Sequence, residues 1–122
     1  MKIYGSWSGH DCSFAVLDNG VPKVHAEYER YIREKEPRGD SVQFMFDEMG
    51  SCEDIKYFAT CHSIKKLKEY DKSFKKLENI IEKNEGEMYI LGHHQSHAAN
   101  AFFSSNFDKS LIITIDGGGL DT

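Results

Sequence analysis

The chain has 122 residues, with 15 Lys and Arg against 20 Asp and Glu and a formal net charge of -5 at pH 7. That length suits one domain with a real core but is short for most two-substrate enzymes, and the acidic balance argues against nucleic-acid binding driven by phosphate neutralisation. No apolar run approaches the length that spans a bilayer and Met1-Lys2-Ile3-Tyr4-Gly5 lacks a signal-peptide core, so no membrane association and a cytoplasmic location are expected.

In chain order, Lys2 to Trp7 reads as a first strand, Ser13 to Leu17 as a second and Val21 to Glu29 as a third. Asp18-Asn19-Gly20 between the last two is a hairpin signal, because Asn and Gly tolerate positive φ. The charge-dense tract from Glu27 to Asp40, with Pro37 and Gly39, predicts an exposed loop. Asp40 reads as an N-cap with Gln43 three residues on, and Val42, Met45, Phe46 and Met49 as one face of a short helix that Gly50 ends. Ile55 to Thr60 is a fourth strand. From Ile64 to about Asn84 the positions Ile64, Leu67, Tyr70, Phe74, Leu77, Ile80 and Ile81 recur at helical spacing and predict one amphipathic helix with a solvated charged face. Met88 to Leu91 is a fifth strand, a histidine-bearing helix follows, and Leu111 to Ile115 is a buried strand running into Asp116-Gly117-Gly118-Gly119. The three cysteines, Cys12, Cys52 and Cys61, are odd in number and form no Cys-x-x-Cys, which fits reduced thiols packed as small hydrophobes.

Chemistry concentrates in three places. In Gly92-His93-His94-Gln95-Ser96-His97, His93 and His97 are four residues apart and fall on one helix face, the spacing at which two imidazoles share a metal ion. The positive end of the helix dipole favours the neutral imidazole that binds metals. Surface or capping histidines are the alternative, and the isolated pair does not decide between them. A strand leading into Asp116-Gly117-Gly118-Gly119 offers a carboxylate that can reach a metal, a metal-bound water or a polar substrate, and glycines whose backbone N–H groups can approach phosphate oxygens. Ser8-Gly9-His10-Asp11-Cys12-Ser13 is a second turn of similar character, and either could be only a turn. His25 and His62 read as structural or surface residues.

Together these blocks resemble the NodU/CmcH family of carbamoyltransferases. Gly9-His10-Asp11-Cys12-Ser13 is similar to the family's Gly-His-Asp-Ala-Ser, with Cys12 in place of alanine. Glu27-Tyr28-Glu29-Arg30-Tyr31-Ile32-Arg33-Glu34-Lys35 is similar to its Glu-Glu-Glu-Arg-Phe-x-Arg-x-Lys, with Tyr28 in place of one acid. His93-His94-Gln95-Ser96-His97-Ala98-Ala99-Asn100-Ala101-Phe102, followed by a strand and Asp116-Gly117, is similar to His-His-x-x-His-Ala-Ala-x-Ala-Phe, a strand and Asp-Gly. Order and spacing agree along nearly the whole chain.

The resemblance implies an α/β fold, the ribonuclease-H-like half of an actin/Hsp70/sugar-kinase (ASKHA) fold, with a mixed sheet whose first three strands are antiparallel. Residues 1–108 would form that first half and 109–122 the first strand and phosphate-type loop of a second. It implies that His93 and His97 hold a divalent metal, Fe2+ first, with Zn2+ or Mg2+ as alternatives. His10 and Lys35 would lie at a carbamoyl-transfer site, and Asp116, Gly117, Gly118 and Gly119 would face the nucleotide. Carbamoyl phosphate and ATP would form carbamoyl-adenylate in a separate YrdC-like domain, and the carbamoyl group would pass to a hydroxyl-bearing small-molecule acceptor. A further carboxylate ligand for the metal is expected from outside this chain, which alone should not turn over. An exposed sheet edge leaves room for a homo-oligomer. The alternatives are a kinase or ATPase of the same fold, and a non-catalytic remnant that binds a partner supplying the missing half.

Overall fold

The computed structural model describes residues 1–35, 37–50 and 52–117. The chain divides into two compact units, Met1–Ile90 and Leu91–Thr122, taken here in turn.

The first unit is a mixed α/β fold around a five-stranded sheet. Its elements are β1 (Lys2–Trp7), β2 (Ser13–Asp18), β3 (Val21–Glu27), α1 (Tyr28–Ile32), α2 (Ser41–Met49), β4 (Tyr57–Thr60), α3 (Ile64–Tyr70), α4 (Phe74–Lys83) and β5 (Glu87–Ile90). The sheet order is β3-β2-β1-β4-β5, with β1–β2 and β2–β3 antiparallel and β1–β4 and β4–β5 parallel. The first three strands are therefore antiparallel, as expected. Asn19 and Gly20 both take positive φ, 50° and 78°, the backbone that a two-residue hairpin requires. Pro22 sits in the edge strand β3, where a missing N–H is tolerated.

Alternation along the strands buries Tyr4 and Ser6 of β1, Phe14 and Val16 of β2, and Phe58 and Thr60 of β4. Against them pack Val42, Phe44, Met45 and Phe46 of α2, and Leu77, Ile80 and Ile81 of α4. Asp40 caps α2 as expected, accepting from the Gln43 N–H at 2.9 Å. The Gln43 side chain does not return to the cap; it donates to Asp47 at 2.7 Å and accepts from the Ser73 hydroxyl.

In this unit two sequence expectations are corrected and a third is narrowed. The tract after Glu27 is not all loop: Tyr28–Ile32 forms the short helix α1, because Tyr28 and Tyr31 both dock on Phe44, with ring centroids 5.1 and 5.0 Å away. The long helix from Ile64 is two helices. Asp71 is extended (φ -108°, ψ 99°) and buried, its carboxylate engaged by Ser8 and Val42, while the Lys72 N–H turns to Asp40 at 2.7 Å. Those side-chain and backbone bonds compete with the helix for the same groups and break it. Of the two readings of His62, structural or surface, the structural one holds: it is buried, donates from Nε2 to the Ser8 carbonyl at 2.7 Å and stacks on Trp7 at 4.1 Å.

Close approach fixes Gly86, where β5 begins. A Cβ there would lie 1.9 Å from the Lys56 carbonyl oxygen, which itself accepts from the Glu87 N–H at 2.9 Å. Gly86→Ala is expected to force the two backbones apart and destabilise the protein by about 1–3 kcal/mol. Urea unfolding of the variant beside the parent checks it.

In the second unit, α5 (His93–Phe103) is the expected histidine helix, and none of its residues is buried. The expected buried strand at Leu111–Ile115 is corrected: it has no strand partner among the described residues, and Leu111, Ile113 and Ile115 are 88%, 72% and 91% exposed. A β-branched run becomes a strand only where a neighbour supplies the ladder. Gly118 and Gly119 lie outside the described residues.

Candidate metal centre

Gly92 begins α5 with extended backbone (φ -66°, ψ 148°), and its N–H donates to Gln95 Oε1 at 3.4 Å. The Ser96 hydroxyl donates to the Gly92 carbonyl at 3.0 Å. The helix start is thereby fixed, and His93 and His97 stack one turn apart on the same face, their ring centroids 4.6 Å from each other. Beyond α5, alternate residues of the extended segment bond the helix: Thr114 Oγ1 lies 2.9 Å from His94 Nδ1, and Asp116 Oδ2 lies 2.6 Å from His93 Nε2 and 3.2 Å from His97 Nε2. The two Nε2 atoms are 3.1 Å apart. His93, His97 and Asp116 thus form one His/His/Asp group capable of coordinating a divalent metal.

The donor set fits such an ion. Two imidazoles and a carboxylate suit zinc or iron, and three protein ligands leave positions open for water or substrate. Both Nε2 atoms must be unprotonated to bind, so acidification is expected to release the metal.

Asp116 is read from sequence as a carboxylate able to reach a metal, yet it is assigned to the nucleotide and not joined to His93 and His97. The carboxylate ligand expected from outside the chain has a counterpart here, and the residue assigned to the nucleotide stands with the histidines. Its signal was period two: Thr114 and Asp116 share one face of an extended segment and meet His94 on one side and the pair on the other.

The other predicted residues lie in the first unit. His10 is exposed, its Nδ1 2.8 Å from Asp11 Oδ2, while its carbonyl accepts from Trp7 Nε1 at 2.7 Å. Gly9 pairs with Gly39 through two 3.1 Å backbone bonds, which ties the first loop to the end of the charged block. A cavity of about 340 Å³ beside this loop is lined by Asp11, Cys12, Ser13, Glu27 and Glu29. Lys35, exposed, lines a second depression with Glu29, Arg30, Arg33 and Glu34. Glu29 borders both, but His10 and Lys35 are not brought into hydrogen-bonding contact. Burial, then the Asp71 and Asp40 carboxyls, pushes the Cys12 thiol up to about 12, so it is a packing group and not a nucleophile.

No protein-family model matches the chain. An uncharacterized protein of Methanocaldococcus jannaschii is 32% identical over 126 aligned positions, which cover 96% of this chain and 22% of that protein. The nodulation protein NolNO of Sinorhizobium fredii is 60% identical over 30 residues, 25% of this chain and 4% of its own length. The chain spans less than a quarter of the length of either relative. Its likeness to the nodulation protein is thus partial and confined to a short stretch. No helix among the described residues is long and apolar enough to cross a membrane.

Proposed function

We propose that this chain is the N-terminal portion of a metal-dependent O-carbamoyltransferase. In this reading a carbamoyl group passes from carbamoyl-adenylate, made from carbamoyl phosphate and ATP, to a hydroxyl of a small-molecule acceptor. The observation that carries it is the convergence of His93, His97 and Asp116, drawn from the sequence block most similar to the carbamoyltransferases. The match to a nodulation protein supports it. Three antiparallel strands continued by two parallel ones support residues 1–108 as a ribonuclease-H-like first half of an ASKHA fold, with 109–122 opening the second. The exposed Phe103, Phe107, Leu111, Ile113 and Ile115 are then surface that the second half covers.

A divalent ion, Fe2+ before Zn2+ or Mg2+, supplies a Lewis acid for a phosphate or carbonyl oxygen of the adenylate. His93 and His97 present two Nε2 lone pairs to it, and Asp116 adds a negative charge. His10, with Asp11 against its Nδ1, moves a proton at the acceptor hydroxyl. The Lys35 ammonium offsets negative charge at the transfer site, and Gly117, Gly118 and Gly119 let backbone N–H groups approach the nucleotide phosphates. The enzyme works in the cytoplasm, where ATP and carbamoyl phosphate are made.

The test is AMP release from ATP by the full-length protein with hydroxyl acceptors, with and without carbamoyl phosphate. Release that depends on carbamoyl phosphate, and that falls on chelation, is expected; the 122-residue chain alone should give none. His10→Ala in the full-length protein should slow turnover about 10²–10⁴-fold with metal content unchanged. ATP hydrolysis indifferent to carbamoyl phosphate would point instead to a kinase or ATPase.

A further inference from the structure

Asp71 is 2% exposed and sits where α3 and α4 part. Its Oδ1 accepts from the Ser8 hydroxyl and from the Val42 N–H at 3.3 Å. Ser8 Oγ in turn accepts from the Ser41 N–H at 3.0 Å and lies 2.6 Å from Ser41 Oγ. With Asp40 on the Gln43 N–H, the first three amides of α2 are all taken by side chains. The other oxygen, Asp71 Oδ2, is buried with no donor among the described residues. The Asp40 carboxyl lies within hydrogen-bonding reach of the Asp71 carboxyl. The Asp40 oxygens already accept from the Gln43 and Lys72 N–H groups.

Two carboxylates cannot hydrogen-bond each other unless one carries a proton, and a buried acceptor left unmatched beside a like charge is costly. One proton between them satisfies Oδ2 and leaves the pair a single negative charge, which suits the positive end of α2. We infer that Asp71 is held as a neutral carboxylic acid that donates its proton to Asp40, and that this acid pair pins the first loop, through Ser8, to the N-terminus of α2. Asp71 is a positioning residue for the loop that carries His10.

The surroundings agree. Burial first, and Asp40 next, raises the Asp71 carboxyl to about 7. The titratable groups set around it are Asp40 at the α2 cap, Cys12 beside β2, with its thiol pushed up, and His62, which holds the Ser8 carbonyl and is pushed down by burial. Each of these is less readily cationic than usual or is itself acidic, so none draws a charge onto Asp71.

The folded-state value lies above the unfolded one of 3.8. The proton therefore stabilises the fold fully below 3.8, and that contribution is lost as pH rises through about 7. Asparagine keeps the acid's shape, accepting at Oδ1 and donating from Nδ2 to Asp40 at every pH. In the purified protein, the thermal midpoint of Asp71→Asn should gain on the parent as pH rises from about 5 to about 8. Asp71→Ala should be the less stable at both ends. Trp7, the single tryptophan, donates to the His10 carbonyl and reports on the loop. Its emission should change with pH in the parent in a step that Asp71→Asn lacks. Independently of any variant, the Asp71 carboxyl carbon followed by NMR should titrate near neutrality. Parallel pH courses of midpoint or emission in parent and Asp71→Asn, or a carboxyl carbon that titrates below about 5, would overturn the inference. None of these readouts needs metal, ATP or turnover.

Discussion

His93→Ala, His97→Ala and Asp116→Ala are each expected to lose bound metal, measured as iron and zinc per chain, whereas His94→Ala should keep it. Outer hydrogen-bond partners of metal ligands already account for about 10–100-fold in affinity, so removing a ligand should cost more than that. His94 makes the sharp comparison: it lies between the two ligands in sequence, yet its Nδ1 is directed to Thr114 Oγ1. The Asp116 variant separates the structure from the sequence motif, because the His-x-x-x-His pair survives in it intact. Unchanged metal content in all three variants would sink the site. Loss in the two histidine variants with full retention in Asp116→Ala would reduce it to a two-histidine site.

Phe58→Ala is expected to destabilise the first unit by about 3–5 kcal/mol, the range for removing a large aromatic from a packed core. Phe58 is fully buried in β4, which pairs with β1 on one side and β5 on the other. Its ring cannot be replaced by collapse of one neighbour, since both faces of that pairing are fixed by backbone ladders. Tyr57, its neighbour in β4, is only half-buried, and Tyr57→Ala should cost much less. Equal losses in chemical unfolding for the two variants would contradict the burial pattern.

What the sequence made legible was local. Asn19-Gly20 announced the hairpin, and Asp40 and Gly50 bracketed α2, because the groups that decide those features lie within four residues of one another. The break between α3 and α4 was not legible, since Asp71 answers to Ser8, 63 positions away, and to Val42, 29 away. In sequence it is one more acid on a charged face. Helix α1 was hidden for the same reason, its two tyrosines being committed to Phe44 in the next helix. At the metal centre the four-residue spacing exposed His93 and His97, while Asp116 stands 23 positions from His93 and could be joined to it only by the course of the chain after α5.

The place of β1 in the sheet has a consequence for how the protein is made. One edge of β1 is met early by β2, through the short loop of residues 8–12, but its other edge waits for β4, where Ile3 pairs with Tyr57, 54 residues further along. A hairpin closes in microseconds, whereas a ribosome adds about 5–20 residues per second. For seconds during synthesis the nascent chain would therefore hold a formed β1–β2–β3 ribbon with the open edge of Lys2–Trp7 unpaired, the interval in which this chain is most open to association with other chains.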